Sequence, residues 1–255
     1  MADINLTDFG FDGVTVSLIG SVIDQHNGGG PLIFLNEEDH KDNAGIADSL
    51  RNSCKLVDDG IVDFIGVEGY PSGVVESLLS VFGNQLTWQQ VKASVAGKGD
   101  EEIIATLNGK TLLYATSMKL LRPDANVVSI EDATLYEAAR KAKAGAPFEI
   151  VAKGSIRMLT LAKERGIALG DMAAREALRS EVFGQIDAQI KAHLEETVER
   201  PRNAPFVANL FVKRQELHAT GASLMNIGRM HFDDISQILK ARGDCSFIRI
   251  SPLGG

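Results

Sequence analysis

Three short polar clusters stand where apolar runs end, and their residue types are those of proton transfer and metal ligation. Asn36-Glu37-Glu38-Asp39-His40 directly follows Leu32-Ile33-Phe34-Leu35. Glu68 sits in Gly66-Val67-Glu68-Gly69, after Ile61-Val62-Asp63-Phe64-Ile65. His231 closes Gly228-Arg229-Met230-His231, between the run Ser223 to Ile227 and a helical pattern that starts near Phe232. Carboxylates brought together repel, so Glu38 and Glu68 side by side would need a proton, a cation or an arginine between them. A histidine at a helix N-terminus is held neutral, which suits it to act as a base, a donor to an oxyanion or a metal ligand.

Each cluster also has a plainer account. The acidic run before Asn43 would cap a helix, Glu68 between glycines would serve a tight turn, and His231 would cap or pack. Glu131 and Asp132 end the run Asn126 to Ile130 and would add carboxylates to the same rim, or begin the helix that contains Tyr136. Arg202 follows Pro201 at a helix start, where it would clamp an anion or simply lie exposed. His26, His193 and His218 read as solvated surface residues. No Gly-x-Ser-x-Gly elbow is present, and neither Cys54 nor Cys245 has a histidine suitably near it, so a serine or cysteine nucleophile is unsupported. The two cysteines lack metal-site spacing and read as packing residues.

These clusters need a scaffold that brings strand ends together. Pro31 to Leu35, Ile61 to Val67, Asn126 to Ile130, Ser223 to Ile227 and Ser246 to Ile250 read as buried parallel strands. Ile46, Leu50, Cys54 and Val57 recur at helical spacing over Asn43 to Val57, with Asn43 as N-cap, giving strand, helix, strand. The pattern returns at the other end, with a helix over Phe232 to Ala241 closed by Gly243 and a last strand over Phe247 to Ile250. The fold class is therefore α/β, with an open, mostly parallel sheet flanked by helices, and ligands are expected outside the carboxyl ends of its strands. Helix-rich insertions over about 87–121 and 148–218 would form a cap, with a break at Pro201. One domain over 1–255 is expected. The triple glycine Gly28 to Gly30 precedes a strand and so is a turn rather than a phosphate loop.

Composition narrows the partners. With 255 residues, 44% hydrophobic and 24% charged, the chain can bury a sizeable core. A net charge of -8 and a pI near 5.2 argue against nucleic acid. The longest nearly uncharged apolar stretch, Gly13 to Ile23, is too short for a bilayer, so no membrane partner is expected. The first residues, Met-Ala-Asp-Ile-Asn, lack the basic and apolar regions of an export signal, which makes cytoplasmic residence the expectation.

The order and spacing of the clusters resemble the superfamily that joins erythromycin esterases, TraB and Tiki proteins and the ChaN-like haem-uptake proteins. That superfamily opens with Gly-Glu-x-His after its first strand, continues with a glutamate after the second and an arginine before a late helix, and ends with Gly-x-x-His. The matching residues here are Glu38-Asp39-His40, Glu68, Arg202 and Gly228-Arg229-Met230-His231, and Asn226-Ile227 leads into the last motif in the family's manner. Glu37 stands where the opening motif has glycine. The resemblance implies a hydrolase of an ester, lactone or peptide bond, acting on a small molecule or a peptide. In it His40 or His231 would activate water, Glu38 and Glu68 would orient the histidine or join both histidines around a divalent metal ion, and Arg202 would stabilise negative charge. It equally implies a non-catalytic protein that binds haem, iron or an anionic ligand in the same cleft, with a metal ion preferred over haem. A third expectation, independent of the resemblance, is an interaction protein using the helical region 148–218.

Overall fold

A computed structural model describes residues 1–38, 43–68, 88–107, 114–168 and 170–252. In chain order the elements are β1 (Ala2–Asn5), β2 (Thr15–Leu18), β3 (Ser21–His26), β4 (Leu32–Glu38), α1 (Asn43–Asp58), β5 (Val62–Val67), α2 (Trp88–Val95), α3 (Asp100–Leu107), α4 (Tyr114–Leu121), β6 (Val127–Ser129), α5 (Ala133–Glu164), α6 (Met172–Leu194), α7 (Arg200–Glu216), β7 (Ala222–Gly228), α8 (Phe232–Arg242) and β8 (Ser246–Ser251). They fall into two compact units, Met1–Asp132 with Asn203–Gly255, and Ala133–Arg202.

The first unit is built on a six-stranded sheet of order β3-β8-β4-β7-β5-β6, parallel except for β3, which pairs antiparallel with β8 at one edge. The expected α/β class and the mostly parallel sheet are present. All five strands read from apolar runs form; β1, β2 and β3 escaped notice because a short hairpin and a half-exposed edge strand carry no continuous apolar run.

Alternation along the strands sends side chains to two apolar layers. Leu32 and Phe34 of β4 pack with Leu50 and Cys54 of α1, while Ile33 and Leu35 pack with Phe206 of α7 and Phe232 and Ile235 of α8. The helix α8 stops where sequence reasoning placed the stop, at Gly243, whose φ of 69° is the left-handed conformation that glycine adopts without steric cost.

The connections define a crevice. From β4 the chain runs through α1 across to β5, whereas from β7 it runs through α8 in the opposite direction to β8, and the two helices lie on opposite faces. The adjacent strands β4 and β7 thus form a topological switch point, where open α/β sheets leave a cleft outside their carboxyl ends.

The second unit is helical. Its α5 and α6 close on a small core of Leu161, Leu178 and Val182. It begins at Ala133 rather than near 148, because α5 is apolar on more than one side and so has little periodic signal. The expected break at Pro201 is also absent: residues Glu195–Glu199 form a π-helical turn between α6 and α7, with the Arg200 amide donating to the Glu195 carbonyl. This wider turn accommodates the proline without ending the helix. Among the described residues no helix is long and apolar enough to cross a membrane.

Candidate functional site

β4 and β7 end in register, Glu38 opposite Gly228 and Asn36 opposite Asn226. The polar side chains at this edge divide between the two faces of the sheet.

On the α1 face Asn36 and Asn226 meet directly, with Asn36 Nδ2 donating to Asn226 Oδ1 at 3.1 Å. The hydroxyl of Ser49 on α1 donates to the same Oδ1 at 2.8 Å and accepts from Asn36 Nδ2 at 2.6 Å. Those bonds fix the Asn226 amide, whose Nδ2 then donates to Glu38 Oε2 at 2.5 Å. Beneath them the Tyr114 hydroxyl donates to Ser53 Oγ. Burial pushes the Tyr114 phenol well above its usual ionisation range, so it remains a neutral donor. Glu38 is therefore a buried carboxylate held by a stack of amides and hydroxyls.

On the α8 face the arrangement is different. His231 is buried in the 3-10 turn Arg229–His231 that leads into α8. Asn203 Nδ2 donates to Asp234 Oδ2 at 3.1 Å, which turns Asn203 Oδ1 toward His231 Nδ1 at 2.6 Å. Facing a carbonyl oxygen, Nδ1 serves as the donor, and Nε2 lies 3.4 Å from Glu68 Oε2. Glu68 is itself anchored, since its Oε1 accepts from the Gly228 amide at 3.1 Å. The ring of Phe206 meets the imidazole edge-on at 5.4 Å.

Glu37 points to this same face. Nε and Nη2 of Arg249 reach its Oε1 at 2.7 and 2.5 Å, and Arg249 Nη1 reaches Asp233 at 2.6 Å. Arg229, mostly exposed on the turn after β7, lies with its Nε 4.0 Å from Glu37 Oε2. The residue that replaces the resemblance's glycine is thus one half of a buried ion pair.

No family model matches the chain, and no curated protein or solved structure is significantly similar to it.

Of the residues singled out from sequence, Glu68 and His231 meet on the α8 face, whereas Glu38 ends β4 on the α1 face. Glu38 and Glu68 are not neighbours as expected: β7 lies between their strands. His40 and Asp39 lie outside the described residues. Glu131 is buried and Asp132 half-buried between β6 and the first turn of α5. Arg202 is not the exposed residue a lone helical arginine suggests. It is buried in the helical unit, its Nη1 2.5 Å from Glu199 Oε2, and Glu199 also pairs with Lys143 at 2.7 Å. His193 and His218 are exposed as expected, whereas His26 is half-buried against the Phe247 ring.

Asn36, Asn203, Asn226 and Arg249 were missed. Asparagines leave no periodic trace, but Arg249 left one, a charge inside the otherwise apolar run Phe247 to Ile250.

The donor chemistry suits a metal ion in part. The 3.4 Å between His231 Nε2 and Glu68 Oε2 equals the donor spacing about one tetrahedral ion with bonds of about 2.1 Å. The Nδ1–H bond to a fixed carbonyl is the outer-shell support that metal-bound histidines use. Among the described residues, however, no group of three His, Cys, Asp or Glu side chains is placed to hold a metal.

Proposed function

We propose that the chain is a hydrolase of an ester, lactone or peptide bond whose base is His231. One observation carries the reading: Asn203 fixes the proton on Nδ1 and leaves Nε2 as a base opposite Glu68, at a topological switch point. In the reaction Nε2 takes a proton from water, the water oxygen attacks the carbonyl carbon, and the leaving oxygen or nitrogen departs with that proton. The imidazolium that forms in between is stabilised by Glu68 on one side and by Asn203, backed by Asp234, on the other. Glu68 and His231 would hold a divalent ion; the resemblance adds Glu38 and His40, of which Glu38 lies on the opposite face of the sheet, bound by Asn226. Such an ion, when bound, supplies Lewis acidity and a more acidic water. Arg202, bound to Glu199, is assigned no step here.

A second reading is a non-catalytic protein for haem, iron or an anionic ligand. It is supported by Arg229, which offers an exposed cation at the strand end. The test is elemental mass spectrometry of the wild type and of a Glu68→Gln, His231→Ala double variant, followed by turnover of ester, lactone and peptide substrates. Stoichiometric metal lost in the double variant supports the metal-assisted form. Hydrolysis without metal supports the histidine base alone. Full turnover by His231→Ala overturns the mechanism, and absence of hydrolysis with retained anion binding supports the second reading.

A further inference from the structure

The helical unit presents a surface that the proposed chemistry does not use. On α5 the buried positions Gly154 and Leu161 face α6, and Gly154 lies so close to Phe183 that an added Cβ would sit 2.9 Å from its ring. The opposite side of the same helix is also apolar. Phe148, Val151, Ile156 and Leu159 are 81%, 58%, 69% and 66% exposed. With Ala152 and Ser155 they make one seam at helical spacing, free of charged side chains along its length.

The seam has an internal symmetry. About a point midway between Lys153 and Gly154, Phe148 mirrors Leu159, Val151 mirrors Ile156 and Ala152 mirrors Ser155. Large residues stand at both ends and small ones at the centre. A two-fold interface requires such a patch, in which each residue meets its mirror image on the other copy, and small central residues allow two helices to approach closely. The four large side chains expose on the order of 600 Å² per copy, against roughly 800 Å² per partner in a standard interface and 300–600 Å² for the largest patch of a typical monomer.

We infer that the outer face of α5 is a homodimer interface, in which the α5 helices of two copies pack antiparallel with Phe148 against Leu159, Val151 against Ile156 and Ala152 against Ser155 of the second copy. The modest area makes the dimer dissociable. Neither the strand-end site nor its chemistry is needed for this pairing.

Analytical ultracentrifugation of the full chain across a wide range of concentration tests it. The wild type is expected to pass from one chain mass to two as concentration rises. Ile156→Glu and, independently, Leu159→Gln are expected to weaken association on the order of a hundredfold, with circular dichroism and thermal unfolding of the dilute protein unchanged. The double variant Ala152→Cys, Ser155→Cys is expected to give a disulfide-linked dimer on mild oxidation. Phe148→Cys is not, because antiparallel packing sets the two 148 positions about 16 Å apart along the axis. Cross-linking through Phe148→Cys alone overturns the antiparallel geometry. A wild type that stays monomeric throughout overturns the proposal, and a monomer that binds vesicles of anionic phospholipid through this face assigns it to a lipid surface instead.

Discussion

The two faces of the sheet meet at one strand edge and treat a carboxylate in opposite ways. On the α1 face, Glu38 receives a hydrogen bond from an amide that is itself locked by Asn36 and Ser49. The Asn226 amide has both ends bonded there, and the arrangement behaves as an anchor. On the α8 face, Glu68 meets Nε2 of a histidine whose other nitrogen faces Asn203. The difference teaches that polar groups buried at one strand edge can form a fixed hydrogen-bonded stack on one face and a carboxylate–imidazole contact on the other.

The contrast can be broken at several points. His231→Gln should lower hydrolytic turnover by roughly 10² to 10⁴-fold, since a positioned general base contributes that much. Its unfolding free energy should change by no more than about 1 kcal/mol, which denaturant titration would check. A fall in both would make His231 a packing residue. Arg249→Met should destabilise by about 3 kcal/mol or more in the same titration, because it leaves Glu37 buried without its main partner. The double variant Glu37→Met, Arg249→Met should recover most of that loss.

Asn226→Ala should cost about 1–3 kcal/mol of stability, the penalty for leaving buried amide and carboxylate partners unmet. If it instead abolished turnover at unchanged stability, the anchor and the reactive pair would have to exchange roles. Asn203→Ala should reduce turnover roughly tenfold and move the acidic limb of the pH–rate profile, which follows protonation of the base, since the Nδ1 proton would no longer be held. A smaller effect belongs to the α1 helix. Its Asp58 carboxyl is held below the usual range by the Arg122 guanidinium. A depressed carboxylate contributes stability above its unfolded value of about 3.9, lost as pH falls through the folded value. Asp58 is about half exposed, so solvent screening limits the loss to about 0.5 kcal/mol or less, measurable as a difference between wild type and Arg122→Met below pH 4.

Much of this could be read from the residues. The buried parallel strands announced themselves as runs of Ile, Val, Leu and Phe, and Gly243 marked the end of α8. Glu38, Glu68 and His231 were legible because they follow such runs directly. The edge strand β3 was not, since its alternating half-exposed residues resemble a polar loop. Asn203 could not be assigned a role either. Its importance comes from α7 passing the start of α8, a contact between residues 28 positions apart along the chain. Strand order hid the placement of β7 between β4 and β5, and with it the separation of Glu38 from Glu68.

That placement also sets the time at which the site comes into being. β7 supplies Asn226 to Glu38 and the Gly228 amide to Glu68, bridging 188 and 160 residues of chain. Until β7 has left the ribosome, β4 and β5 have no strand between them and the bonds that β7 gives to the two carboxylates cannot form. The fold is therefore one of high contact order, slow to close, with two unpaired strand edges exposed during synthesis. Nascent chains released before residue 231 would lack the His231–Glu68 contact altogether and would be clients for chaperones.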